Sequence, residues 1–232
     1  MRYFQEKFWS LAPWVALALI MLDLYLIMIY APQEAMQGLA QKIFYFHVSS
    51  AFSMYLGFMA SGLGAVLYMW KREARFNALA EAGTSVGLLF CSMVLISGPI
   101  WAKPIWGAWW TWDPRLTTTL ILFFGFFAVR LLRNFYGTDL RGRLYAAVLT
   151  LFCLLDMPLV VFAVKLWRGV HPAVLGEKDN MPFEMKITLI MSFCAIMFLM
   201  FCLLILKTRQ LILKDKLAEL NSHLSERNES WI

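Results

Sequence analysis

Residues 183–206 read FEMKITLIMSFCAIMFLMFCLLIL, an apolar block with about the ~20 residues that a bilayer-spanning helix requires. Five more blocks of this kind precede it. The expected spans are Pro13–Tyr30, Ile43–Trp70, Ala78–Gly98, Leu116–Leu132, Leu144–Leu166 and Phe183–Leu206. Composition agrees, because 61% of the 232 residues are hydrophobic and only 16% are charged, against about a quarter charged in a soluble domain. A soluble globular fold is excluded. The expected class is all-α: a polytopic membrane protein with a six-helix bundle over residues 1–206 and a helical tail over residues 207–232. The second block is long enough to tilt or to project beyond the bilayer. The first has too long an apolar run for a signal peptide and no small-x-small cleavage site, so it reads as a signal anchor.

Fourteen of the 21 Lys and Arg fall on one side of this layout: Arg2 and Lys7; Lys71, Arg72 and Arg75; Arg130, Arg133, Arg141 and Arg143; and Lys207, Arg209, Lys214, Lys216 and Arg227. The positive-inside rule then puts both termini in the cytoplasm. Residues 33–42, 99–115 and 167–182 face outward. The net charge of +6 therefore reports topology, and no nucleic-acid partner is expected. No glycine-rich nucleotide loop is present, so the chain carries no ATPase motif. Cys91, Cys153, Cys194 and Cys202 all lie inside apolar blocks without a CxxC pair, and read as small buried residues rather than a disulfide or redox framework.

Three outward features carry chemistry. Five of the ten tryptophans crowd into residues 101–112, in WAKPIWGAWWTW, followed by Asp113-Pro114-Arg115. An interfacial aromatic belt is the plain reading, but belts scatter over many helix ends. If the stretch is helical, Trp106, Trp109, Trp110 and Asp113 share one face and make an indole surface for a large, flat, apolar ligand. His47 and His171 form the second feature. Each alone suits a capping role, but they are the only histidines outside the tail and both fall on the face that carries the tryptophans. Two imidazoles are too few for a structural zinc site and enough for the two axial positions of a porphyrin. The third feature is a set of outward cations that includes Lys103 and Arg115. Arg115 could pair a propionate in two-pronged geometry, or could pair with Asp113 and only fix the loop.

Elsewhere, Asp156 in Asp156-Met157-Pro158 interrupts the fifth span, where proline is expected to kink the helix. It either hydrogen-bonds across the bundle or helps to route a ligand or proton, and Asp23 in the first span is similar. Gly57, Gly62 and Gly64 suit close helix packing. His223 lies in the tail, where Leu213, Leu217, Leu220 and Leu224 recur at helical spacing, and is not a ligand candidate.

Trp106-Gly-Ala-Trp109-Trp110-Thr-Trp112-Asp113-Pro-Arg115-Leu-Thr resembles the WGxWWxWDxRLT signature of the WWD-domain haem-handling family of cytochrome c biogenesis. Three further segments resemble its CcmC-like members: Gln41-Lys-Ile-Phe-Tyr-Phe-His47-Val, Asp156-x-Pro158, and Trp167-Arg-x-x-His171-Pro. The sequence departs from that pattern at Val48-Ser49-Ser50-Ala51, which lacks a proline two residues after the first histidine. The resemblance implies a haem b site at the periplasmic face of the bacterial inner membrane, with His47 and His171 as axial ligands. The platform would comprise Trp106, Trp109, Trp110 and Trp112, with Asp113, Arg115 and Lys103 at its polar edge. It further implies presentation of haem to a periplasmic chaperone, CcmE, which attaches it covalently, and assembly with CcmD and with the ABC-type pair CcmA and CcmB. Whether the chain itself assists the attachment in a lyase-like role stays open, as do two other classes: a haem exporter acting as a transmembrane transporter, and a structural subunit of the ABC-type complex.

Overall fold

Small residues in the second and third spans set the architecture. The computed structural model describes residues 2–136, 139–167 and 181–229, without the side chains of 2–8, 164–165, 223 and 226–229. Helix α1 (Arg2–Tyr25) runs into a π-helical turn, Leu26–Tyr30, and is followed by α2 (Ile43–Lys71) and α3 (Ala74–Trp106). A β-carbon on Gly57 would stand 2.8 Å from the Gly87 Cα, and one on Gly64 would stand 2.9 Å from the Ala80 Cα. At Gly83 it would strike the Ser61 backbone. Close approach of this kind is how helices associate where water supplies no hydrophobic drive. It also lets Ser61 Oγ reach the Ala80 carbonyl at 2.8 Å and Thr84 Oγ1 at 2.8 Å. Gly83→Ala is therefore expected to destabilise the α2–α3 pair by about 1–3 kcal/mol, read as a lower melting temperature of the detergent-solubilised protein. An unchanged melting temperature would mean that this contact is slack.

Helix α4 (Pro114–Tyr136) packs into the same core, where Phe58 and Phe126 stack with centroids 3.8 Å apart. Helices α5 (Leu140–Leu154) and α6 (Asp156–Trp167) form one broken span, and α7 (Phe183–Glu229) closes the bundle. Among the described residues no β-strand occurs, only an isolated bridge between Glu34 and Gly38. Six helical segments are long and apolar enough to cross a membrane, as expected: Trp9–Tyr30, Leu39–Lys71, Ala74–Trp106, Pro114–Tyr136, Leu140–Ala163 and Phe183–Ser222. Large apolar side chains such as Trp14, Phe124, Phe152 and Ile190 point outward, as a lipid-facing surface demands.

Several boundaries differ from the sequence-based expectation. The third helix does not stop at Gly98 but continues through Pro99 and Pro104 to Trp106, so its connection to the next helix shrinks to residues 107–113. Helix α2 does begin at Ile43, where the second span is expected to start, and His47 sits inside it without the proline of the related pattern. The fifth span breaks at Leu155 rather than at Pro158 itself. Proline has no N–H to give to the carbonyl four residues earlier, and for Pro158 that carbonyl belongs to Leu154, the last residue of α5. Asp156 then opens α6, where a carboxylate complements the helix dipole. Its Oδ2 is buried with no hydrogen-bond partner among the described residues. Asp23 does bond across the bundle, accepting from the Ser192 hydroxyl. Cys91, Cys153 and Cys202 are buried, but Cys194 is exposed on the outer flank of α7, which corrects the expectation that all four are interior. The tail continues α7 as helix, with Leu213, Leu217, Leu220 and Leu224 exposed.

Lys42 was not singled out by its sequence context. It is nearly buried, and its ammonium donates to the carbonyls of Ile27, Met28 and Ala31 at 2.6, 3.0 and 3.2 Å. The widened π-helical turn leaves carbonyls without intrahelical donors, and Lys42 satisfies them while latching the first span to the second.

Candidate functional site

His47 lies in the second turn of α2, half-buried, with Nδ1 2.9 Å from Ser97 Oγ on α3. The Ser97 hydroxyl donates to the Met93 carbonyl at 2.7 Å. The hydroxyl and the ring nitrogen thus share one hydrogen bond that holds the imidazole against α3. A hydrogen bond on one imidazole nitrogen is how metal-ligating histidines are fixed in tautomer and orientation. Gly98 leaves room beside the ring: its β-carbon would sit 3.4 Å from His47 Cε1. Sequence reading found His47 but not Ser97 or Gly98. The available signal was a polar and a small residue at the same expected end of an apolar block.

The tryptophan segment is not one helix, so the expected single face of Trp106, Trp109, Trp110 and Asp113 does not form. The chain leaves the α-helix at Gly107, which adopts φ +75° with its N–H on the Lys103 carbonyl at 3.0 Å. A left-handed glycine is the common way to end a helix. The Lys103 ammonium adds a bond to the Gly107 carbonyl at 2.9 Å, so it is engaged at this helix end. Two edge-to-face indole pairs result. Trp101 meets Trp106 at 5.1 Å between centroids, and Trp110 meets Trp112 at 5.8 Å. Trp101 Nε1 also donates to Gln37 Oε1 at 3.1 Å, which draws the loop after the first span against α3. Trp109 and Trp112 remain 58% and 70% exposed, enough for both to offer indole surface to a ligand. Trp112 holds φ +54°, a strained conformation for a bulky residue.

Asp113 ends the segment as the N-cap of α4. Its Oδ1 accepts the Arg115 backbone N–H at 2.9 Å, and Pro114 fills the first helical position, where a missing N–H costs nothing. Its Oδ2 and the Trp110 Nε1 are buried without a hydrogen-bond partner among the described residues. Arg115 reaches across to α6, where Nη2 donates to the Val161 carbonyl at 3.3 Å. Depth along the bundle follows from antiparallel register. The Cys91 thiol meets the Thr119 carbonyl. Six residues further along α3 stands Ser97, and six back from Thr119 stands Asp113, at the same level as Ser97 and hence as His47. Trp106 lies nine residues beyond Ser97, roughly 13 Å higher at 1.5 Å per residue. The indoles therefore rise from the level of His47 toward the outer end of the bundle.

His171, Arg168 and Lys178 lie outside the described residues. The helices flanking that segment both reach the His47 end: α6 carries the Arg115 contact, and the first turn of α7 places Met185 in a cluster with Tyr45 and Ile27. Among the described residues, no three His, Cys, Asp and Glu side chains converge as a metal-binding group. The chemistry on offer is thus one oriented imidazole, exposed and half-buried indoles, and two buried polar atoms able to bond a ligand. A flat macrocycle with polar edge groups fits this set.

The family described as "CcmC: Heme exporter protein C" matches residues 1–223. A "putative cytochrome c biosynthesis ccmC-like mitochondrial protein" of Marchantia polymorpha is 31% identical over 192 residues, 82% of this chain and 82% of that protein. "Heme exporter protein C" of Haemophilus influenzae is 31% identical over 191 residues, 80% of this chain and 77% of its own length. The protein of that name from Escherichia coli is 28% identical over 204 residues, covering 88% and 79%.

Proposed function

The chain belongs to the heme exporter protein C family, and from that premise we propose that it handles haem in cytochrome c maturation. In this reading it holds haem b at the end of the bundle bearing His47 and presents it for covalent attachment to a chaperone of the CcmE type. The observation that carries the reading is the 2.9 Å hydrogen bond between His47 Nδ1 and Ser97 Oγ, because a bond on one ring nitrogen is how metal-ligating imidazoles are held in orientation. His47 and His171 would hold the haem iron, and Trp106, Trp109, Trp110 and Trp112 would supply apolar ring surface. Arg115, Lys103 and the buried Asp113 and Trp110 atoms serve the polar edge. Positive-inside asymmetry orients this end toward the periplasm and the basic end toward the cytoplasm, in the bacterial inner membrane, with CcmA, CcmB and CcmD as the assembly around it.

Haem, when bound, supplies the reactive vinyl group and the redox-active iron. The protein supplies position. Ser97 fixes the imidazole, the indoles fix the ring plane, and the charged edge fixes which side of the ring faces outward; placement of this kind accounts for a large part of many rate enhancements. His47 and the indoles lie toward one end of the bundle, whereas alternating-access carriers bind near the midplane, which favours presentation over transport. The deciding experiment compares two readouts for the purified chain with its assembly partners: haem bound covalently to the chaperone, and haem accumulated in sealed vesicles containing this chain alone. Chaperone loading without vesicle uptake is expected. Uptake by the chain alone would replace this reading with a transporter.

A further inference from the structure

At the end opposite His47, a cavity of about 580 Å³ opens between the start of α3, the end of α4, the start of α5 and the tail half of α7. Arg130, Arg133, Arg143, Lys207 and Lys214 line it, against only two carboxylates, Glu81 and Asp215. Both carboxylates are already engaged. Glu81 Oε1 takes Arg130 Nη1 at 3.1 Å, and Asp215 Oδ1 takes Arg143 Nη2 at 3.2 Å.

Arg133 is the member whose bonding is incomplete. Its side chain is only 5% exposed, and Nη1 donates to Asn77 Oδ1 at 2.7 Å, with Glu81 Oε2 at 3.9 Å. Nε and Nη2 are buried with no hydrogen-bond partner among the described residues. These two nitrogens form one edge of the guanidinium, the fork that meets two oxygens of a single anion side by side. Leaving such charged donors unmet is costly, and the surplus of lining cations exceeds what Glu81 and Asp215 neutralise. Apolar lining by Ala78, Leu211 and Leu217 places the cavity at the border between the apolar core and the charged end.

We propose that this cavity binds a phosphate group, with the Nε–Nη2 edge of Arg133 as its bidentate donor and Lys207 and Lys214 as the outer cations. The phosphate belongs either to an anionic lipid headgroup at the membrane border, where basic pockets between helices recognise such groups, or to a small soluble anion. The site is independent of the haem reading.

The test uses the full chain in phosphatidylcholine nanodiscs, with phosphatidylglycerol titrated in one arm and inorganic phosphate in the other, read by native mass spectrometry and melting temperature. Retention of phosphatidylglycerol over phosphatidylcholine by roughly tenfold is expected from one charge-assisted bidentate contact. That preference should fall toward parity in Arg133→Gln. Because Arg133 also anchors Asn77, the double variant Lys207→Gln with Lys214→Gln, at the cavity rim, provides an independent reading and should weaken retention several-fold. Stabilisation by inorganic phosphate alone, lost in both variants, would identify a soluble anion as the source. No preference in either arm, or a preference unchanged in both variants, would overturn the site.

Discussion

Haem supplied to the detergent-purified wild-type chain is expected to give the Soret and visible bands of a six-coordinate low-spin species, and His47→Ala is expected to abolish that pattern. Removing a side chain that only contacts a metal ligand typically costs 10–100-fold in metal affinity, so removing the ligand itself should exceed roughly 100-fold. Ser97→Ala is the graded control. It keeps the imidazole but frees its Nδ1, and should weaken haem retention by about tenfold while leaving a low-spin spectrum. His171→Ala should remove the second axial bond and convert the spectrum to a five-coordinate form. Free imidazole should restore the low-spin bands to His47→Gly, because the cavity left beside Gly98 is the size of the ring that was removed. Spectra unchanged in both histidine variants would remove the axial assignment.

The second large effect concerns the indoles. Trp109→Ala combined with Trp110→Ala removes one exposed ring and one half of the edge-to-face pair with Trp112. At about 1 kcal/mol for each ring beyond its area, loss of both should weaken haem retention by roughly thirtyfold. The bundle should survive, because its core of Met54, Phe58, Phe90 and Phe126 lies on α2, α3 and α4, away from the segment. A monodisperse double variant that binds haem as the wild type does would reduce these tryptophans to membrane anchors.

Much of the architecture was legible because bilayer physics leaves few alternatives: a run such as residues 183–206 has no other stable state. The glycines of the second span also announced their role, since Gly57 and Gly64 sit where α3 comes closest. What escaped was local. Proline normally marks a helix end, yet Pro99 and Pro104 lie inside α3, so the expected stop at Gly98 fell two turns short, and the condition for a single indole face, one continuous helix, is not met beyond Trp106. His47 was visible as a candidate, but Ser97, which aims it, is 50 residues distant in sequence and carries no pattern of its own. Lys42 looked like an ordinary loop cation until the unwound carbonyls of the first span were seen around it.

Helix α7 runs without interruption for 47 residues, or about 70 Å at 1.5 Å per residue, more than twice the ~30 Å thickness of bilayer hydrocarbon. Its two extremities thus behave as parts of a single stiff rod. Any push on the leucine stripe at one tip becomes a tilt at the other, where Met185 leans on Tyr45, two residues from the imidazole.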